Sequence, residues 1–122
     1  MTRIAFLSLN GTCDYFHIGG VESIVRRLSD ALADVGERVS LIQYGTEQDG
    51  RSDVRSGVCQ VSFRTLDGAL DEIRSNYDHV VSVYLRCEDR IRYARFRRKT
   101  STHIRFHHLY TIWHEQRLRR GL

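Results

Sequence analysis

The chain has no proline and only one lysine, one methionine and one tryptophan. Nothing in the sequence accounts for the missing proline. Its longest apolar run is a few residues, whereas a membrane-spanning helix needs about 20. The opening "MTRIAFLSLN" holds one arginine and a short apolar run. That run is too brief for the core of a signal peptide and reads as a first strand. Cys13, Cys59 and Cys87 are odd in number and far apart, with no Cys-x-x-Cys pair. They suggest no disulfide framework but three small buried hydrophobes in a reduced, cytosolic compartment. The dinucleotide motif G-x-G-x-x-G and the P-loop are both absent. So are a nucleophile elbow and a spaced carboxylate pair suited to hydrolysis.

What is present fits one soluble globular domain over residues 1–122, with apolar and charged fractions of 41% and 28%. The net charge of +4 is concentrated late: from Arg86 onward, eleven Arg or Lys face three acids. Eighteen of the nineteen basic residues are arginine, a bias that codon usage alone can produce.

Arg3–Leu9, "RIAFLSL", is apolar and followed by the turn signal "NGT". It predicts a buried strand. Val21, Ile24, Val25, Leu28, Ala31, Leu32 and Val35 then recur at helical spacing. Glu22 lies in the first turn, where a carboxylate suits the helix dipole, and Gly36 is placed as the stop. Arg38–Tyr44 predicts a second strand. Residues 46–57 are polar and rich in Gly and Ser and read as a surface loop. Val58–Phe63 predicts a third strand, and Leu66, Leu70 and Ile73 a helix ending near Asn76. His79–Leu85 predicts a fourth strand. After it, Cys87, Ile91 and Ala94 mark one face of an arginine-rich helix. "THIRFHHLYT" predicts a fifth strand, and "IWHEQRLRRGL" starts a last helix. The order implies an α/β fold, a Rossmann-like and mostly parallel sheet with helices on both faces.

In such sheets ligands bind at the carboxyl ends of the strands. The loop Asn10–Gly20 joins the first strand to the first helix and ends in paired glycines. Gly19 and Gly20 therefore stand where free N–H groups and the positive helix end meet. Their missing Cβ atoms let a phosphate approach closely. A loop of eleven residues exceeds the usual βα turn of about 2–6, which points to a phosphate or nucleotide-sugar ligand more than to NAD. A turn without a ligand is the plain alternative.

The segment "RIAFLSLN…GGVESIVRRLSDALADVGERVSLIQYG" resembles the opening of glycosyltransferase family 4, whose members have the GT-B fold. The matching positions are Gly19-Gly20-Val21-Glu22, Leu28 and Leu32, and Gly36-Glu37-Arg38-Val39. "THIRFHHLY" resembles the family's fifth strand, with His107 at the place of the family's histidine. The resemblance covers nearly all 122 residues, and its first half is the more specific.

The resemblance implies retaining transfer of a sugar from a nucleotide diphosphate donor to an acceptor, without a metal or resident cofactor. Gly19 and Gly20 would meet the donor diphosphate, and His107 would lie near the transferred sugar. Donors aimed at the leaving diphosphate lower the barrier. The family's donor-binding C-terminal domain has no counterpart here. The chain thus reads as an incomplete N-terminal, acceptor-side domain, inactive alone: a fragment, a truncated reading frame, or half of a split enzyme whose complement is on another chain. An incomplete sheet would also leave an open edge, so marginal stability or self-association is expected.

Other readings stay open. One is a non-catalytic phosphate- or nucleotide-binding module; another is a basic nucleic-acid-binding domain. The run "RIRYARFRRK" interleaves arginines with Tyr93 and Phe96. It reads as a solvated helix face with its aromatic side chains turned inward, or as a contact with anionic lipid at the inner face of the membrane, where lipid-linked acceptors would lie. No recognised nucleic-acid motif accompanies it. His103, His107, His108 and His114 cluster in sequence with only Glu115 close by, which does not suggest a zinc site. Asn10, Asp14 and Tyr15 lie in the first loop, within reach of an acceptor, and Ser8 is assigned to strand structure.

Overall fold

The computed structural model describes residues 1–10, 15, 20–100 and 102–109. The expected last helix, and with it His114 and Glu115, lies outside the described residues, as do Gly19, Cys13 and Asp14. The elements run β1 (Arg3–Leu9), α1 (Gly20–Asp34), β2 (Arg38–Tyr44), β3 (Gly50–Arg55), β4 (Val58–Phe63), α2 (Leu66–Asn76), β5 (His79–Tyr84), α3 (Cys87–Lys99) and β6 (Arg105–His108). The six strands form one sheet in the order β3-β4-β2-β1-β5-β6. Every pairing is parallel except β3 with β4. This is an α/β fold of Rossmann-like kind. No helix among the described residues is long and apolar enough to cross a membrane.

Alternation along the strands divides the core into two layers. Ile4, Phe6, Val39, Leu41, Val58 and Val83 pack with Val25 of α1 on the first face. Ala5, Leu7, Ile42, Tyr44, Val61 and Val80 pack with α2 and α3 on the second face. In α2, Leu66, Ala69, Leu70 and Ile73 recur at helical spacing and are all buried, and the Thr65 hydroxyl caps the helix by accepting from Gly68 N–H at 3.2 Å. α1 ends as expected at Gly36, with φ +94°. Gly36 N–H bonds the Ala33 carbonyl and Glu37 N–H the Leu32 carbonyl, each at 3.0 Å. These two bonds are the Schellman pattern.

Several expectations are corrected. The loop expected over 46–57 contains β3, which runs antiparallel to β4. Its side chains are mostly polar and exposed, so hydrophobic periodicity does not reveal it. Backbone pairing holds it, helped by ion pairs from Arg51 to Glu72 and from Arg55 to Asp34, both at 2.6 Å. The stripe expected to bury α1 is mostly outside. Val25 and Ser29 are buried, whereas Val21, Ile24, Leu28 and Val35 are exposed, Val35 by 74%. The described part of the first face offers α1 a narrow contact, centred on Val25. In α3 Cys87 and Ile91 are exposed, so the apolar face expected through them does not hold, whereas Tyr93 and Phe96 point inward as expected. The larger rings fill the gap to β6, each meeting Phe106 edge-on. Cys59 is half-buried and Cys87 exposed, so burial of all three thiols does not hold.

Candidate functional site

The chain turns outward in both directions from the centre of the sheet. From β1 it proceeds to β2, and from β5 to β6, with β1 and β5 as neighbours. Their carboxyl ends form the topological switch point, where ligands of such sheets bind. The register of β1 against β5 shifts between Leu7 and Ser8, so the ladder is irregular at that end.

Three strands carry a graded set of side chains on the α1 face. Ile4, Val39 and Val58 are in register at the amino end, and all are apolar. Phe6, Leu41 and Gln60 follow. At the carboxyl end stand Ser8, Gln43 and Ser62, all polar. Ser8 is fully buried and Gln43 is 3% exposed. The Gln43 Nε2 amide is buried with no hydrogen-bond partner among the described residues. A buried amide without a partner costs about 1–3 kcal/mol, so its retention at a strand tip is an anomaly with a place in the fold.

The first loop is fastened beside this layer. Tyr15 N–H donates to Gln60 Oε1 at 3.1 Å, and the Tyr15 hydroxyl donates to Asp30 of α1 at 3.1 Å. Burial, and then Asp30, push the Tyr15 phenol pKa up. Asn10 N–H bonds the Tyr44 carbonyl at 2.9 Å, which holds the start of the loop to the end of β2. Gly20 is the first residue of α1. Its φ is not positive, and a Cβ built there meets nothing within 4 Å among the described residues. Neither backbone strain nor internal packing therefore requires glycine at this position. Glu22 is in the first turn, as expected.

On the second face of the same edge, Tyr44 donates to Asp89 Oδ2 at 2.8 Å, and Arg86 N–H donates to the Tyr44 hydroxyl at 3.3 Å. The Arg86 guanidinium reaches Asp89 at 3.3 Å. Burial first, and then Asp89, push the Tyr44 phenol up to about 12.

His107 lies on the edge strand β6, exposed, opposite Val81 of β5. Its Nε2 is 3.3 Å from His79 Nδ1 and the two rings stack. His108 points to the other face. Its Nε2 receives Arg97 at 2.6 Å, and its Nδ1 meets Ser82 Oγ at 2.5 Å. Arginine can only donate, so Nε2 is the acceptor and Nδ1 carries the proton. Burial first, then the charges of Arg97 and His107, lower the His108 pKa, in keeping with a neutral ring. In that tautomer His108 cannot take a proton from Ser82 through Nδ1, and the pair is not a nucleophile and base. Among the described residues no three His, Cys, Asp or Glu side chains are grouped to hold a metal ion.

The sequence singles out Gly20 and His107 as candidates but not Gln43, Gln60 or Ser62, and it places Ser8 in strand structure. A usable signal was present: the inward positions of three strands turn polar at the same end. No family model, curated protein or solved structure matches this chain.

Proposed function

We propose that this chain is the acceptor-side, N-terminal part of a retaining glycosyltransferase with the GT-B arrangement, as its resemblance to family 4 implies. The backbone amides of Gly19 and Gly20 meet the donor diphosphate at the head of α1, and the Gln43 amide supplies a further donor from the strand tip below. The observation that supports this most is Gln43 Nε2, a buried donor without an acceptor among the described residues, in an all-polar layer. A phosphate oxygen is an acceptor that would satisfy this amide. His107 enters through the resemblance, as the histidine near the transferred sugar. β5 separates its strand from β1, so a sugar diphosphate would extend across two strand spacings, about 10 Å, to reach it.

The described residues form one sheet. The nucleoside and sugar contacts of a GT-B enzyme come from a second domain facing the first, so we expect binding without turnover from these 122 residues. A non-catalytic phosphate-binding module keeps the same site. Calorimetric titration with a nucleoside diphosphate tests both readings: wild type should bind, and Gln43→Leu should bind about tenfold or more weakly, the loss expected for a hydrogen bond to a charged group. Equal affinity in the two proteins would remove Gln43 from the site. Sugar transfer by the purified chain alone would refute the inactive half-enzyme.

A further inference from the structure

The amino edge of the sheet, opposite the site described above, has a separate charged feature. β1 and β2 both begin with arginine, and Arg3 and Arg38 are direct partners in the parallel register. By alternation both are on the second face. Like charges directly opposed on neighbouring strands repel. Among the described residues neither guanidinium is paired with a carboxylate. Two acids stand next to them in the fold but are turned to backbone groups. Glu37 accepts from Thr2 N–H at 2.6 Å, and Asp78 accepts from Arg3 N–H at 3.0 Å.

Both arginines line a groove of about 800 Å³ between the end of α2 and strands β2, β4 and β3. That volume is within the usual range for small-ligand sites, about 300–1,000 Å³. Of the other charged groups lining the groove, Arg51 is neutralised by Glu72 at 2.6 Å and Arg55 by Asp34 and Asp30. That leaves the Asp53 carboxylate as the one negative charge facing the two arginines without an ion pair of its own among the described residues. Ser40, Cys59 and Tyr77 also line the groove. Burial pushes the Cys59 thiol and the Tyr77 phenol up, so both are neutral near neutral pH.

We infer that this groove binds a ligand with a terminal phosphate or pyrophosphate group, clamped between Arg3 and Arg38. Their strands are one spacing apart, about 5 Å. Each guanidinium presents a two-donor fork suited to phosphoryl oxygens. A single carboxylate satisfies one fork, whereas a phosphate dianion has oxygens for both and removes the repulsion between them. The inference is independent of the carboxyl-edge reading, because the two sites are at opposite ends of the strands.

Amide NMR spectra of the full chain titrated with inorganic pyrophosphate test it. We expect saturable shifts at Ser40, Gly57, Cys59 and Asn76. The Arg3→Gln/Arg38→Gln variant should weaken them about tenfold or more, and Arg38→Lys, which keeps the charge but loses the fork, should fall between. A short oligonucleotide without terminal phosphate is the second probe. It should bind more weakly than pyrophosphate, because diester groups are monoanions; equal binding would overturn the terminal-phosphate assignment. Silent groove amides, or shifts of equal affinity in the double variant, would overturn the clamp. Shifts only at Gly20 and Gln43 would overturn the groove and leave the carboxyl-edge reading standing; shifts only in the groove would do the reverse. Should the double variant lose its dispersed spectrum, Arg38→Lys decides alone, and unchanged affinity there counts against the clamp.

Discussion

Tyr44 and Asp89 are joined by a 2.8 Å hydrogen bond that ties the end of β2 to the first turn of α3. The same hydroxyl accepts from Arg86 N–H. One phenol thus links the central sheet to the helix that covers its far half. Tyr44→Phe leaves Arg86 N–H without this partner and Asp89 with only Arg86. A loss of about 1–2 kcal/mol at neutral pH is expected, read by urea denaturation. Full stability in the variant would show that the link is dispensable.

Tyr93 makes the opposite case. Among the described residues its buried hydroxyl has no well-formed hydrogen bond, only a weak approach to Ser82. Burial pushes its pKa up to about 12, like that of Tyr44, with the charge of Arg97 and then Ser82 opposing. A phenol raised above its unfolded value, about 10, favours the neutral form in the folded state. Its contribution is therefore whole below about pH 10 and is lost as pH rises toward 12. Tyr93→Phe should be neutral or stabilising at neutral pH and should retain more stability above pH 10 than wild type. Denaturation midpoints at neutral and alkaline pH check both signs. A clear loss at neutral pH would reveal a partner for this hydroxyl.

Gln43→Leu separates stability from binding. Leucine has a similar volume and no unsatisfied donor, so the variant should be as stable as wild type or more so, by up to about 1–3 kcal/mol. Weaker nucleoside diphosphate binding in a more stable protein is the signature of a residue kept for a ligand. If the variant is instead destabilised, Gln43 serves packing and the carboxyl-edge reading loses its main support.

The parallel core was legible because β1, β2 and β5 are apolar runs, and α1 because its caps and periodicity agree. β3 was not legible: an edge strand of alternating charge has no hydrophobic face to read. The apolar stripes of α1 and α3 were misplaced for a shared reason, although the inward turn of Tyr93 and Phe96 was legible. Periodicity finds an apolar stripe but not what it meets, and in α3 Tyr93 and Phe96 outweigh the smaller Ile91. Gly20 was visible as a motif. Gln43 was not, because one glutamine at a strand end has meaning only beside Ser8 and Ser62 in register.

The exposed stripe of α1 gives a mutational contrast. Ile24→Ala and Leu28→Ala remove side chains that are 51% and 41% exposed, so each should cost less than about 1 kcal/mol. Ile73→Ala in α2 removes a fully buried side chain and should cost about 2–5 kcal/mol. Comparable losses at the three positions would mean that α1 is covered in solution by something outside the described residues.

Gly57 turns β3 into β4 at φ +83°, and a Cβ there falls 3.0 Å from the Ala33 Cβ. Both the left-handed backbone and the contact oppose a side chain, so Gly57→Ala should cost more than about 1 kcal/mol. Gly20 has neither constraint. Alanine is the better helix former by up to about 1 kcal/mol, so Gly20→Ala should be neutral or mildly stabilising. Its only expected penalty is to the ligand, since the new methyl group stands where a diphosphate would approach the backbone. Calorimetry should show nucleoside diphosphate binding about tenfold weaker in Gly20→Ala. Undiminished affinity would mean that no ligand comes close to that amide, and the head of α1 would then be an ordinary helix start.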